Sequence, residues 1–162
     1  MREGILIADS SPLIALARID ELDLLPRLYS KILIPPMVWE EITVRGKDRP
    51  GAKKVSQASW LEIQSPDPFL VERASILVDA GEAEAIALVQ NSPDSLVLLD
   101  DSRARRVAKR LGLKMIGTVG LLLRAKRAGL LVRLRPSLEL LQTNHIYVRP
   151  ELLEAALREV GE

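Results

Sequence analysis

Ile5-Leu6-Ile7-Ala8-Asp9-Ser10-Ser11-Pro12 sets a short apolar run against an acid, two hydroxyls and a proline. The run has the length and β-branched content of a buried parallel strand, and a helical pattern over 12–18 follows it. Leu96-Val97-Leu98-Leu99-Asp100-Asp101 repeats the arrangement late in the chain, ahead of a helical pattern over 102–111. There Ala104, Val107, Ala108 and Leu111 form an i, i+3, i+4, i+7 apolar stripe, which Gly112 ends. Ligands gather at the carboxyl ends of strands in open α/β sheets, so acids from distant parts of the chain are expected to meet there.

The same alternation extends outward from these two runs. A short helix is expected over 22–28 and a second strand at Ile32-Leu33-Ile34, closed by Pro35-Pro36. Pro36 opens a helix through Met37, Val38, Glu41 and Ile42, and residues 45–51 read as a polar loop. Trp60-Leu61-Glu62-Ile63 resembles an edge strand. A helical hairpin over 69–78 and 82–90 turns at Asp79-Ala80-Gly81. Lys114-Met115-Ile116 reads as a fourth parallel strand and 118–128 as a helix. Beyond Pro136 two helical segments flank a polar break at Thr143-Asn144-His145. The expectation is one domain over 1–162: an α/β fold of three layers (α/β/α) with a short, mostly parallel central sheet, and residues 136–162 as a C-terminal helical extension.

Composition narrows the chemistry. At 162 residues, 48% of them hydrophobic, the chain can bury a single core. The net charge of +1 hides an uneven split: residues 102–135 hold eleven basic residues and no acid, leaving 12 basic against 22 acidic elsewhere. Such a block suggests an anionic partner, set against the plainer reading of two solvated helix faces. The absence of cysteine excludes disulfides, thiolate zinc sites and cysteine nucleophiles, and suits a reducing compartment. His145 is the only histidine, so no histidine pair can bind a transition metal. No apolar run approaches a membrane span, and the expected location is cytoplasmic. Five aromatic residues argue against single-strand binding on stacked aromatic platforms.

The acids remain. Ser10, Ser11 and Pro12 supply a hydroxyl cap and a first-turn proline, so Asp9 is surplus to capping. Asp100 and Asp101 point to opposite sides of extended backbone, and Asp101, where the chain turns, is the one expected inward. Glu40 and Glu41 sit on the helix after the second strand, either as a solvated face or as site residues. Glu82 and Glu84 occupy the first turn of a nearly all-apolar helix, and residues two apart do not share a face. Gly117-Thr118-Val119-Gly120 lacks the P-loop lysine, and Thr118 reads as a helix cap with a possible phosphate at that N-terminus. Clustered carboxylates without nitrogen or sulfur ligands suit Mg²⁺ or Mn²⁺ and phosphodiester chemistry, with the basic block available to a nucleic-acid backbone.

Four motifs in order carry a family resemblance: Ile7-Ala8-Asp9-Ser10-Ser11-Pro12-Leu13-Ile14; Ile34-Pro35-Pro36-Met37-Val38-Trp39-Glu40-Glu41-Ile42; Asp79-Ala80-Gly81-Glu82-Ala83-Glu84-Ala85-Ile86; and Leu98-Leu99-Asp100-Asp101-Ser102-Arg103-Ala104-Arg105 with Gly117-Thr118-Val119-Gly120-Leu121. Over residues 5–131 the chain resembles the PIN domain, in a prokaryotic branch often left uncharacterised. The resemblance implies a Mg²⁺- or Mn²⁺-dependent ribonuclease, frequently the toxin of a toxin–antitoxin pair, working as a homodimer and blocked by a cognate antitoxin. Carried over residue by residue, it assigns Asp9, then Glu41 (which directly precedes Ile42), then Asp101. Ser10 or Ser11 fills the small hydroxyl position, with Thr118 as a further candidate. At the third acid the usual aspartate is replaced by Gly-Glu-Ala-Glu-Ala, so the choice lies between Glu82 and Glu84, with Glu82 preferred. Arg103, Arg105 and Arg106 are the expected substrate contacts. Two other readings stand beside this one. The first is a catalytically silent PIN-like module that binds RNA or protein. The second is a phosphatase with Asp9 as nucleophile, against which Ser11 stands where a second aspartate would be expected.

Overall fold

The computed structural model describes residues 2–162. Five strands form one all-parallel sheet: β1 (Glu3–Ala8), β2 (Tyr29–Ile34), β3 (Leu61–Ile63), β4 (Leu96–Leu98) and β5 (Met115–Ile116), in the order β3-β2-β1-β4-β5. The chain builds outward from β1 to β3, then crosses over and adds β4 and β5 on the other side. The switch point therefore lies at β1, where an open α/β sheet leaves a crevice beyond its strand ends. Ala8 pairs with Leu98, and the Asp9 amide still donates to Leu98 O (3.1 Å), so β1 and β4 deliver Asp9 and Asp100 side by side.

Alternation along the strands divides the core in two. Leu6 and Ala8 of β1 face α1 (Ser10–Arg18) and α2 (Leu24–Leu28), together with α8 (Thr118–Arg127), α9 (Arg135–Thr143) and α10 (Pro150–Glu159). Ile7, Leu33, Val97 and Leu99 face the other way, onto α6 (Ala80–Gln90) and α7 (Ser102–Arg110), with Ala83, Ile86, Ala104 and Ala108 packed on them. The expected three-layer α/β/α architecture is thus present, with a wholly parallel sheet. Leu6, Ile7, Leu98 and Leu99 are fully buried; each such side chain contributes about 1.5–3 kcal/mol relative to exposure.

Several local details depart from the sequence expectation. The α1 cap position is Asp9, not Ser10 or Ser11, because the chain turns immediately after its last sheet hydrogen bond. The helix opened by Pro36 runs only as α3 (Pro36–Glu40) before widening into a π turn, Glu41–Arg45, closed by the Gly46 amide on Glu41 O (2.9 Å). A short helix, α4 (Ala52–Ser56), follows the polar loop and buries Ala52 and Val55. α5 (Pro68–Ala74) ends four residues earlier than the expected 78, and α6 begins at Ala80 because Asp79 caps it. Gly112, at φ 72°, takes the left-handed position after α7 and lets Leu113 N reach Ala108 O (3.0 Å).

Candidate active site

Asp9 directly follows β1, at the switch point of the sheet, and is only 4% exposed. Its backbone is extended (φ −82°, ψ 168°) at the cap position of α1, yet its carboxylate caps no amide of the first turn. Burial pushes its pKa up to about 7, against the lowering effect of the Ser10 amide; Glu82, Glu41 and Asp100 raise it further by like charge. These three acids come from α6, the π turn and the end of β4, which are far apart in the chain.

Glu41 opens the π turn, the kind of helical irregularity that recurs at functional sites. Its Oε2 accepts the Ser10 hydroxyl (3.0 Å), which ties the second acid to the residue beside the first. Gly81 lets α6 approach this carboxylate: a Cβ there would stand 2.6 Å from Glu41 Oε1. Glycine here leaves the carboxylate in place; a larger side chain would push it aside.

The paired glutamates of α6 separate cleanly. Glu84 turns toward α3, where its Oε1 accepts the Met37 amide (2.9 Å), one of the orphan donors at that helix start. Glu82 faces the crevice. Burial raises its pKa to about 7, with the Asp101 charge next in size. It also closes a capping box by accepting the Asp79 amide (3.3 Å). Of the two candidates for the third acid, only Glu82 stands with Asp9 and Asp101.

Asp100 and Asp101 both reach the site. Asp101 caps α7 through the Ala104 amide (2.9 Å) and faces Glu82. Asp100 is gripped by Thr118, whose amide donates to Oδ1 (2.8 Å) and whose hydroxyl donates to Oδ2 (2.5 Å). The sequence reading left Asp100 outside because it treated the two aspartates as alternatives. Thr118 is not the cap expected from the sequence: Gly117 takes that position of α8, and the Thr118 hydroxyl holds an acid that faces Asp9.

A family model described as a PIN domain matches residues 5–162. The chain belongs to the PIN-domain family. No curated protein matches it. The family brings nuclease-type chemistry in general, and its members commonly bind divalent metals.

In this PIN domain, no described lysine or arginine forms an ion pair with Asp9, Glu41, Glu82, Asp100 or Asp101. An all-oxygen donor set with uncompensated negative charge, one member buried, fits a hard divalent cation in its chemistry. Among the described residues no three acids stand as a ready-made cation cage, and Glu41, Asp100 and Asp101 each accept a hydrogen bond.

The basic block divides. Arg124 pairs with Glu3 (2.7 Å), Arg127 with Glu159 and Arg133 with Glu162 (3.7 Å), so its later half is spent inside the fold. Arg103, Arg105 and Arg106 on α7 make no ion pair among the described residues, but they differ in place. Only Arg105 lines the cavity beside the acids, and it donates to Leu99 O (2.7 Å); Arg103 and Arg106 lie exposed on the outer face. That cavity, about 950 Å³, also includes Ser11, Asp100 and Thr118, while a second of about 360 Å³ includes Ser10, Ser11 and Glu41. Among the described residues no helix is long and apolar enough to cross a membrane.

Proposed function

We propose that this PIN domain is an endoribonuclease that depends on Mg²⁺ or Mn²⁺. The observation that carries the reading is Asp9, buried and ringed by Glu41, Glu82 and Asp100 at the switch point with no described base to neutralise them. Asp9, Glu41, Glu82 and Asp101 would hold the cation, with Asp100 beside them. A bound divalent ion supplies Lewis acidity to a phosphodiester and makes water a better nucleophile at neutral pH. Ser10 orients Glu41 by donating to it, and Thr118 fixes Asp100; both keep carboxylate oxygens aimed at the crevice. Burial holds the Asp9 pKa at about 7, so a cation held there would compete with a proton near neutrality.

The test is cleavage of single-stranded RNA by purified protein with Mn²⁺, compared with Asp9→Asn. Loss of cleavage in the variant supports the reading; undiminished cleavage points to a contaminating enzyme or another site. A second reading, a PIN module that binds without cutting, draws support from the hydrogen bonds that occupy Glu41, Asp100 and Asp101. Mn²⁺ titration separates the two, since the binding module shows no metal-dependent stabilisation.

The role we propose for the protein is that of a toxin acting in the cytoplasm, as a homodimer silenced by a cognate antitoxin. The four ordered motifs support this, as do exposed Phe69, Ile76 and Leu77 on and just after α5, a partner-type apolar surface. A small DNA-binding protein encoded alongside, which abolishes the cleavage when added, is the expected companion.

A further inference from the structure

The two cavities share Ser11 and Ile14 and so adjoin, with Asp100 lining the larger and Glu41 the smaller. Three guanidinium groups line the larger cavity: Arg18 from α1, Arg105 from α7 and Arg149 at the start of α10. None forms an ion pair among the described residues; Arg18 donates from Nη2 to Asn144 O (2.6 Å), and its Nε is buried without a hydrogen-bond partner. The cavity's carboxylate, Asp100, is already held by Thr118. Its outer wall is the segment Ile146-Tyr147-Val148, where Tyr147 is 80% exposed, unusual for a ring beside a cavity. Arg49 lines the smaller cavity and likewise makes no ion pair among the described residues.

Unpaired cations call for an anionic ligand, and an exposed ring next to them offers a face for a base. A volume of about 950 Å³ lies in the range that takes a small organic ligand of one or two nucleotides. We propose that the larger cavity binds an unpaired nucleotide of single-stranded RNA, its base stacked on Tyr147 and its phosphates met by Arg149 and Arg105. The strand then passes Ser11, where the two cavities adjoin, and leaves along Arg49. This rests on the nuclease reading for the identity of the substrate, but the stacking site itself does no chemistry. Single strands are favoured because a base must leave its helix to lie on the ring. Composition pointed away from aromatic stacking; one tyrosine in the right place is enough for one base.

Binding of a short fluorescent single-stranded RNA, measured by anisotropy in EDTA, tests the site without cleavage. Tyr147→Ala is expected to weaken binding about tenfold, while Tyr147→Phe keeps it, because stacking needs the ring and not the hydroxyl. Arg149→Ala is expected to reduce the slope of binding against salt by about one ion. Wild-type affinity in Tyr147→Ala, equal affinity for duplex RNA, or capture of an acidic polypeptide in place of RNA would overturn the proposal. A parallel Mn²⁺ assay keeps the two readings apart. RNA bound but never cut leaves the stacking site standing and removes the nuclease; RNA cut equally by Tyr147→Ala does the reverse.

Discussion

A carboxylate as buried as Asp9, with three acids facing it, costs stability whenever it is ionised. In the unfolded chain Asp9 titrates near 3.8 and in the fold near 7, so between those values only the folded state holds the proton. Its stabilising contribution is therefore full below about pH 4 and lost as pH rises through 7. Asp9→Asn removes the ionised form. In metal-free buffer at pH 8 it is expected to raise stability by roughly 2–4 kcal/mol, a gain that fades toward pH 4 in urea titrations, while cleavage is abolished. Gly81 tests the same site from the other side. Gly81→Ala places a methyl against the Glu41 carboxylate, which swings aside at little cost to the fold. The expected result is a fall in cleavage on the order of a hundredfold with a near wild-type melting temperature.

At the scale of elements, α6 divides its labour between neighbours. Glu84→Ala leaves the Met37 amide without its acceptor and is expected to cost about 1 kcal/mol with cleavage near the wild-type rate. Glu82→Gln is expected to do the opposite, stabilising the metal-free protein and lowering cleavage by more than about tenfold. Thermal melts and an RNA assay on the pair check both. The sequence preferred Glu82 to Glu84 only through the resemblance, because which of the two turns toward Asp9 depends on how α6 is set against α3. The strands and the strand-end acids were legible because apolar runs and turns are local signals. The Thr118–Asp100 bond was not, since it joins residues 18 apart that meet only because β4 and β5 pair side by side. The π turn escaped for a related reason: Glu41-Ile42-Thr43-Val44-Arg45 carries no local signal for a widened turn, which is closed by the Gly46 amide.

For the whole molecule, the acids set how it meets pH and metal. Glu82 titrates in the same sense as Asp9, so metal-free protein is expected to lose stability as pH rises from about 4 to 7. Mn²⁺ at a hundred times its Kd would restore about 2–3 kcal/mol at pH 8, seen as a shift in urea midpoint, and Asp9→Asn would show no such shift. The charge count overstated the basic surface, because Glu3, Glu159 and Glu162 answer the later half of the block from distant positions. The larger cavity also has an uneven ancestry along the chain. Its floor belongs to the strand ends and to α8, but its outer wall is the segment 146–148 beyond α9, carried into α10, which rests on α8. Under the proposed stacking site, the base-holding part of recognition lies in a late stretch of chain apart from the acids, while Arg105 and Arg49 lie among them. Substitutions in a handful of late residues can retarget the protein while every acid stays in place, so lineages facing different targets are expected to diverge first at that wall.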